Sequence, residues 1–223
     1  MDVTSYLLGK QASGGGGGGG LDWSAIGYSG EPQAIIDGYN YAVEIKNNWD
    51  ATKTAFGSIF NFDYKLVIMP SIDSSNLTSM ISAFYGCYAL TTVALFNIEN
   101  VTSTRECFRE CRALKVIPKF NTSKVTNMQQ MFNGCYSLTS VPLLDTKAIT
   151  GNSSFSNMFV NCVSLTDTSL DNILQMCINA TGYTGTKTLS TLGVVSTTIY
   201  PTSRIQALPH YQDFLDAGWT IGY

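Results

Sequence analysis

The chain has 223 residues, of which only 13% are charged, against roughly 25% in an average soluble domain. Serine, threonine, asparagine, glycine and tyrosine supply the polar surface instead, a composition common among secreted, cell-surface and virion proteins. The net charge of −3 excludes a general electrostatic attraction to nucleic acid. No apolar run approaches the ~18 residues that a membrane span requires.

The N-terminal segment, residues 1–13, precedes an unbroken glycine run at 14–20. It lacks the basic start and apolar core of a secretory signal peptide. The glycine run predicts a flexible linker with a mean reach of roughly 15 Å. We therefore expect residues 1–13 to anchor the protein, separately from its main body. The candidate anchoring residues, which could form one apolar face, are Val3, Tyr6, Leu7 and Leu8.

Residues 21–63 contain a helical pattern. Apolar side chains recur near helical spacing after Pro32, and proline suits the first position of a helix. We predict a helix at about 32–49, within an N-terminal cap that covers the exposed end of the repeats that follow.

Residues 64–168 are periodic. The motif Phe-x-x-Cys occurs four times at a regular spacing, and the fourth copy is delayed by a short insertion at 151–153. Leucines, prolines and Val-Thr or Ile-Thr pairs recur in the same spacing. A unit this short cannot bury its own apolar face, so consecutive units must stack. The motif residues, expected to form a structural ladder inside the stack, are Phe84 and Cys87, Phe108 and Cys111, Phe132 and Cys135, and Phe159 and Cys162.

Stacked units of this size predict an α/β solenoid of the leucine-rich-repeat type, with repeats of about 24 residues. Short extended segments such as 138–143 would form a parallel sheet on one face. Short helices or helical turns such as 125–134 would form the other face. Terminal units must cover the exposed core at each end.

The sequence NMQQMFNGCYSLTSVPLLDTKAIT at 127–150 resembles the BspA-like leucine-rich repeats of bacterial surface proteins, and this resemblance covers roughly 60–170. The segments SLDNILQMCINATGYTGTKTLSTLGV and FLDAGWTIGY resemble C-terminal closing units of such proteins in phages and prophages of gut bacteria. The opening VTSYLLGK with its glycine run resembles the N-termini of phage structural proteins. The resemblance implies a binding or structural role in a virion or at a bacterial surface.

The ladder cysteines fall at one position of successive repeats, so stacking would bring them to the ~5 Å spacing of adjacent strands. Neighbouring pairs could form disulfides, and Cys107 with Cys111 has the spacing of metal ligands. We favour a third interpretation, in which buried thiols act as small apolar side chains. No cofactor or metal is expected.

Carboxylates and the single histidine are the remaining candidates for catalysis. Asp73 and Asp145 share a register with Asn97 and Asn121, which predicts turn capping rather than acid–base chemistry. His210 has no recognisable nucleophile motif beside it. We therefore expect no enzymatic activity.

The exposed side of the predicted solenoid supplies the candidate ligand-binding surface. The loops before the strands place Tyr88, Arg112, Tyr136 and Val163 in one column, where tyrosines could stack on sugars or act as protein-binding hot spots. Lys115 and Thr139 lie on the exposed face of the strands. Ordinary edge residues of a solenoid are the alternative. A local excess of basic side chains at 105–124 is interpreted as a solvated ridge.

Residues 169–223 are expected to form an α/β C-terminal cap. We predict a strand at 188–194, a helix at 201–218 broken at Pro209, and a last strand at 219–223 that closes the sheet.

The function that we expect is host-surface adhesion by a phage virion protein of the head, tail-fibre or decoration type. Its partners would be other virion proteins through the N-terminus and a host surface protein or glycan through the repeats. A homo-oligomer is compatible with this function. The alternatives are a bacterial cell-surface adhesin and a purely architectural virion component.

Overall fold

The structure, a computed structural model, describes residues 32–57, 59–193 and 199–222. The candidate anchoring segment and the glycine run lie outside these residues. Residues Gly38–Tyr223 form one compact unit, to which the contacts below belong.

The first helix, α1, spans Pro32–Asn48 and ends within one residue of the predicted helix. Tyr41 and Ile45 pack against the apolar core. A Cβ atom at Gly38 would lie 3.0 Å from the Cβ of Val67. Glycine therefore lets this side of the helix approach the repeats closely.

Consecutive repeats contact each other through parallel backbone pairs between equivalent positions. Strand β1 (Ile68–Met69) pairs with β2 (Thr92–Val93). Val116 forms a further bridge with Ser140, so the predicted strand at 138–143 is reduced to one bridge. Prolines follow the paired residues, and their missing N–H groups stop the pairing after one or two residues. These prolines are Pro70, Pro118 and Pro142. A second row of bridges joins Ala55, Ser79, Ser103 and Asn127 in sequence.

The prediction of helical turns at positions such as 125–134 is wrong, because alternate N–H groups of this part of each repeat bond in different directions. Within 80–87, three N–H groups donate to a carbonyl three residues earlier. The N–H groups of Met80, Ser82, Phe84 and Gly86 donate to the next repeat. An α-helix would need all of these groups for its own bonds. The pattern recurs at 104–111 and 128–135. We call these three ranges the turn segments.

Two positions in each turn segment have a left-handed backbone. Each is the third residue of a four-residue turn, where a type II turn requires a positive φ. For a residue other than glycine this conformation costs about 1–2 kcal/mol. The bonds between repeats offset that cost. The first position is occupied by Ser82, Glu106 and Gln130, and the second by Gly86, Glu110 and Gly134.

The insertion at 151–153 leaves the bonds between repeats intact. The N–H of Met128 donates to the Ser154 carbonyl at 2.8 Å, and that of Gly134 donates to the Val160 carbonyl at 2.8 Å. Phe155 fills the buried position that Met128 occupies one repeat earlier. The three inserted residues are exposed, so the extra length is accommodated at the surface.

Five phenylalanine rings form a continuous stack through the core. Successive ring centroids are 5.2–5.8 Å apart, and the ring planes are within 19° of parallel. Buried aromatic pairs in offset stacking stabilise a core beyond the area that they bury. The stack consists of Phe60, Phe84, Phe108, Phe132 and Phe159.

The C-terminal region contains α2 (Asp167–Asn179), α3 (Leu189–Leu192), α4 (Thr202–Gln206) and α5 (Tyr211–Asp216). The predicted strand at 188–194 is wrong. Leu189 and Leu192 are both buried, and their spacing of three residues places them on one side of a helical turn. The predicted break at Pro209 is confirmed, since α4 and α5 flank it.

The predicted last strand is also shorter than expected, with a single bridge between Thr188 and Thr220. Trp219 is buried beside it and contacts three aromatic rings. The C-terminal segment therefore packs through an aromatic cluster beside a single bridge rather than as an extended strand. The other members of this cluster are Phe155, Tyr183 and Phe214.

Candidate binding surface

Four residues at equivalent positions of successive repeats form a column. The guanidinium Cζ of Arg112 lies 4.5 Å from the ring centroid of Tyr88 and 5.9 Å from that of Tyr136. The ring of Tyr64 lies 5.5 Å from the ring of Tyr88. We call Tyr64, Tyr88, Arg112 and Tyr136 the tyrosine–arginine column. The structure thus brings together three of the five candidate ligand-binding residues and adds a fourth member.

Sequence reasoning missed Tyr64, although it lies one repeat before Tyr88. The repeat that contains it lacks the Phe-x-x-Cys motif, because Asp63 occupies the position of the cysteine. Tyr64 is 63% exposed. The neighbouring Phe62 is 40% exposed, and its ring centroid lies 6.4 Å from that of Tyr88. Extending the spacing one repeat toward the N-terminus would have found Tyr64.

Glu110 holds Arg112 in position. Nε of Arg112 donates to Oε2 of Glu110 at 2.9 Å, and Nη2 lies 2.9 Å from the same oxygen. The Glu110 side chain lies against Gly134, where a Cβ atom would overlap Oε1 of the carboxylate. The hydrogen bond to Glu110 raises the pKa of Arg112 above its ordinary value. The guanidinium is therefore both oriented and permanently charged.

The column does not offer Tyr88 as an open platform for a sugar ring. Arg112 covers one face of the Tyr88 ring, and the rings of Tyr64 and Phe62 contact it as well. What such a column presents to a ligand is an oriented guanidinium between tyrosines. Tyrosine and arginine are the residue types that dominate hot spots in protein interfaces.

The other two candidate ligand-binding residues have different surroundings. The N–H and hydroxyl of Thr139 donate to the Lys115 carbonyl at 2.9 and 3.1 Å, so this threonine joins neighbouring repeats. The ammonium of Lys115 is on an exposed side chain.

The basic side chains of 105–124 contact different neighbours. Arg105 pairs with Glu106 at 3.1 Å, and Arg109 donates to Gln130 at 3.0 Å. Arg112 differs from both, because it lies between two tyrosine rings.

The ladder cysteines are buried free thiols. Each donates its S–H to a phenylalanine carbonyl of the preceding repeat at 2.8–3.1 Å, for example Cys135 to Phe108. Burial raises the pKa of Cys87 and of Cys162 to about 12, and raises that of Cys111 well above its ordinary value. A nucleophilic thiolate requires a lowered pKa and access to solvent, so these thiols have the properties of core residues.

The four register-related Asp and Asn residues cap turns. Each side-chain oxygen accepts a hydrogen bond from the N–H two residues later, at 2.8–3.2 Å. Hydrogen bonds from Ser75 lower the pKa of Asp73, which is the opposite of what a general acid needs. The predicted capping role is confirmed for Asp73, Asn97, Asn121 and Asp145.

His210 connects two helices. Its ring Nδ1 lies 2.8 Å from Oδ2 of Asp171, and its backbone N–H donates to Oδ1 of Asp171 at 3.0 Å. His210 precedes α5 and Asp171 lies on α2, so the pair joins these helices.

In the part of the chain that the structure describes, no cluster of three or more His, Cys, Asp or Glu side chains is suited to hold a metal. The described helices include none with the length and apolar character needed to cross a bilayer.

Part of the chain matches a known family model. Residues 78–182, somewhat less than half of the chain, match the family model described as "Mycoplasma protein of unknown function, DUF285". No curated protein and no solved structure matches the chain. The matched segment contains the turn segments 80–87, 104–111 and 128–135 and most of the repeats. The match supports the resemblance of this part of the chain to BspA-like repeats, and it is confined to residues 78–182.

Proposed function

We propose that the protein is a non-enzymatic binding protein that presents the tyrosine–arginine column on a leucine-rich-repeat solenoid. The observation that carries the proposal is the alignment of Tyr64, Tyr88, Arg112 and Tyr136 across successive repeats. Backbone bonds between repeats hold these side chains at fixed spacing, and a rigid surface loses little entropy on binding.

The cellular setting that we propose is a phage virion. Residues 1–13 would attach the protein to the particle, the glycine run at 14–20 would act as a linker, and the repeats would contact the host surface. Support comes from the resemblance of the N-terminal and C-terminal segments to phage proteins. The family match does not bear on this setting.

A bacterial cell-surface adhesin is the second candidate. It is favoured by the BspA-like repeats, which occur in bacterial surface proteins, and by the family model, which names a bacterial genus. A purely architectural virion component is the third candidate, and it would need no exposed binding column.

Mass spectrometry of purified particles from the producing culture separates the first two candidates. The virion proposal expects the chain in the particles. Its presence in the cell envelope but not in particles would instead favour the adhesin. Deletion of residues 1–20 should abolish incorporation into particles, and normal incorporation of the shortened protein would contradict the anchoring role.

Adhesion is separated from architecture by a double variant, Tyr64→Ser with Tyr136→Ser. Both side chains are at least 40% exposed, so the fold should be retained. We expect normal assembly with reduced host attachment. Leu95→Ser, at a position 60% exposed and outside the column, is the matched control. Unchanged attachment of the double variant would favour the architectural role.

A further inference from the structure

The guanidinium of Arg112 has hydrogen-bond donors that its neighbouring side chains do not use. Glu110 contacts Nε and Nη2, and both contacts go to one carboxylate oxygen. Among the described residues, Nη1 of Arg112 has no hydrogen-bond partner. The side chain is 55% exposed. A guanidinium in this state can still donate to an incoming carboxylate.

The position of this guanidinium is set before any ligand arrives. Tyr88 and Tyr136 flank it, and Glu110 orients it from the same repeat. Most exposed arginines must be ordered when they bind, at a cost in side-chain entropy. At Arg112 much of that ordering is already present in the free protein.

The surroundings favour an acidic partner. The repeat that contains Arg112 also carries exposed Lys115 and Lys119. From Arg105 to Lys124 there are six basic and two acidic side chains, whereas the whole chain has a net charge of −3. Positive charge is therefore concentrated in the repeat that contributes Arg112, and a net positive repeat complements an acidic partner.

The ring geometry favours a protein over a glycan. Arg112 occupies a face of Tyr88 that a sugar would need for stacking. The exposed rings of Tyr64 and Phe62 extend the column with apolar surface. Arginine bordered by aromatic side chains is the composition of a protein-binding hot spot.

We infer that the tyrosine–arginine column binds an acidic polypeptide segment, with a partner carboxylate accepting from Arg112 and partner apolar side chains lying against Tyr64 and Phe62. The inference rests on the proposed binding function and names its partner class.

Three polymers immobilised for biolayer interferometry test the inference with the full chain. Poly(Glu,Tyr) supplies carboxylates and aromatic rings on a polypeptide, poly(Lys,Tyr) reverses the charge, and polygalacturonate supplies carboxylates on a glycan. We expect binding to poly(Glu,Tyr) that weakens with added salt, and no binding to poly(Lys,Tyr). Equal or tighter binding of polygalacturonate would overturn the assignment to a polypeptide.

Arg112→Gln should weaken binding to poly(Glu,Tyr) about tenfold, the effect of one charge-assisted hydrogen bond. Tyr88→Leu, which removes the ring beneath the guanidinium, should weaken it about threefold. Arg105→Gln is the matched control, because Arg105 is 48% exposed and paired with Glu106 but lies outside the column. It should change binding by less than about twofold. Equal losses for Arg105→Gln and Arg112→Gln would show general attraction to polyanions and overturn the inference.

These variants, together with the double variant Tyr64→Ser with Tyr136→Ser, distinguish failure of the inference from failure of the proposed function. Absence of poly(Glu,Tyr) binding, together with host attachment that depends on Tyr64 and Tyr136, would overturn the inference and leave the binding function standing. Arg112-dependent poly(Glu,Tyr) binding, with host attachment independent of the column, would support the acidic polypeptide partner and contradict host adhesion.

Discussion

The phenylalanine stack allows a quantitative test of how neighbouring repeats stabilise each other. Phe108 is fully buried and has ring neighbours on both sides, Phe84 at 5.2 Å and Phe132 at 5.8 Å. Phe159 is equally buried, and its one stacked neighbour among the described residues is Phe132, at 5.6 Å. Replacement by leucine at either position removes the ring pairs and keeps an apolar side chain.

Each buried aromatic pair contributes about 0.5–1.5 kcal/mol beyond the area that it buries. Phe108→Leu removes two pairs and should lower the free energy of unfolding by about 1–3 kcal/mol through them. Phe159→Leu removes one pair and should lose about half as much. Urea unfolding followed by far-ultraviolet circular dichroism measures both values.

The double variant Phe108→Leu with Phe132→Leu isolates the shared pair, and its coupling free energy should be about 0.5–1.5 kcal/mol. Two results would refute the reasoning: equal destabilisation by Phe108→Leu and Phe159→Leu, or a coupling below about 0.3 kcal/mol. Either would mean that the rings act only through the area that they bury.

Three further predictions concern the backbone and the thiols. Gly134→Ala should destabilise more than Gly57→Ala in the same unfolding assay. Both glycines have positive φ, but only at Gly134 would the new Cβ displace a neighbouring side chain, and equal losses would contradict this. Asn157→Val should be less stable than Asn157→Gly by about 1–2 kcal/mol, because φ is 56° there; equal stability would show that the backbone relaxes. The free energy of unfolding should fall as the pH rises above about 8.5, since the pKa of Cys87 is about 12 in the fold and lower in the unfolded chain. Cys87→Ala should reduce this loss, and an unchanged pH dependence would contradict the assignment.

The repeat spacing alone predicted which side chains would be buried. The motif phenylalanines and cysteines are buried because side chains one period apart have equivalent surroundings in a stack. The same spacing predicted the column of Tyr88, Arg112 and Tyr136. Turn capping by Asp73 and Asp145 was also accessible from sequence, because Asx turns are local interactions.

The secondary structure within each repeat was harder to predict from the sequence. Residues 125–134 have an apolar pattern compatible with a helix, yet they form successive turns, because the next repeat accepts every second N–H group. The apolar pattern of one segment does not indicate which carbonyl groups accept hydrogen bonds from its backbone N–H groups. Likewise, residues 188–194 were predicted as a strand, but Leu189 and Leu192 are both buried on one side of a helical turn.

The sequence by itself determined the repeat period, the buried ladder and three of the four residues in the column. These properties depend on local pattern and on the requirement that a short unit bury its apolar face against a neighbour. Only the tertiary structure decided that Arg112 covers a face of Tyr88 and that Glu110 orients it. Those contacts depend on distances between side chains of different repeats and on the space left by Gly134, which a linear spacing does not specify.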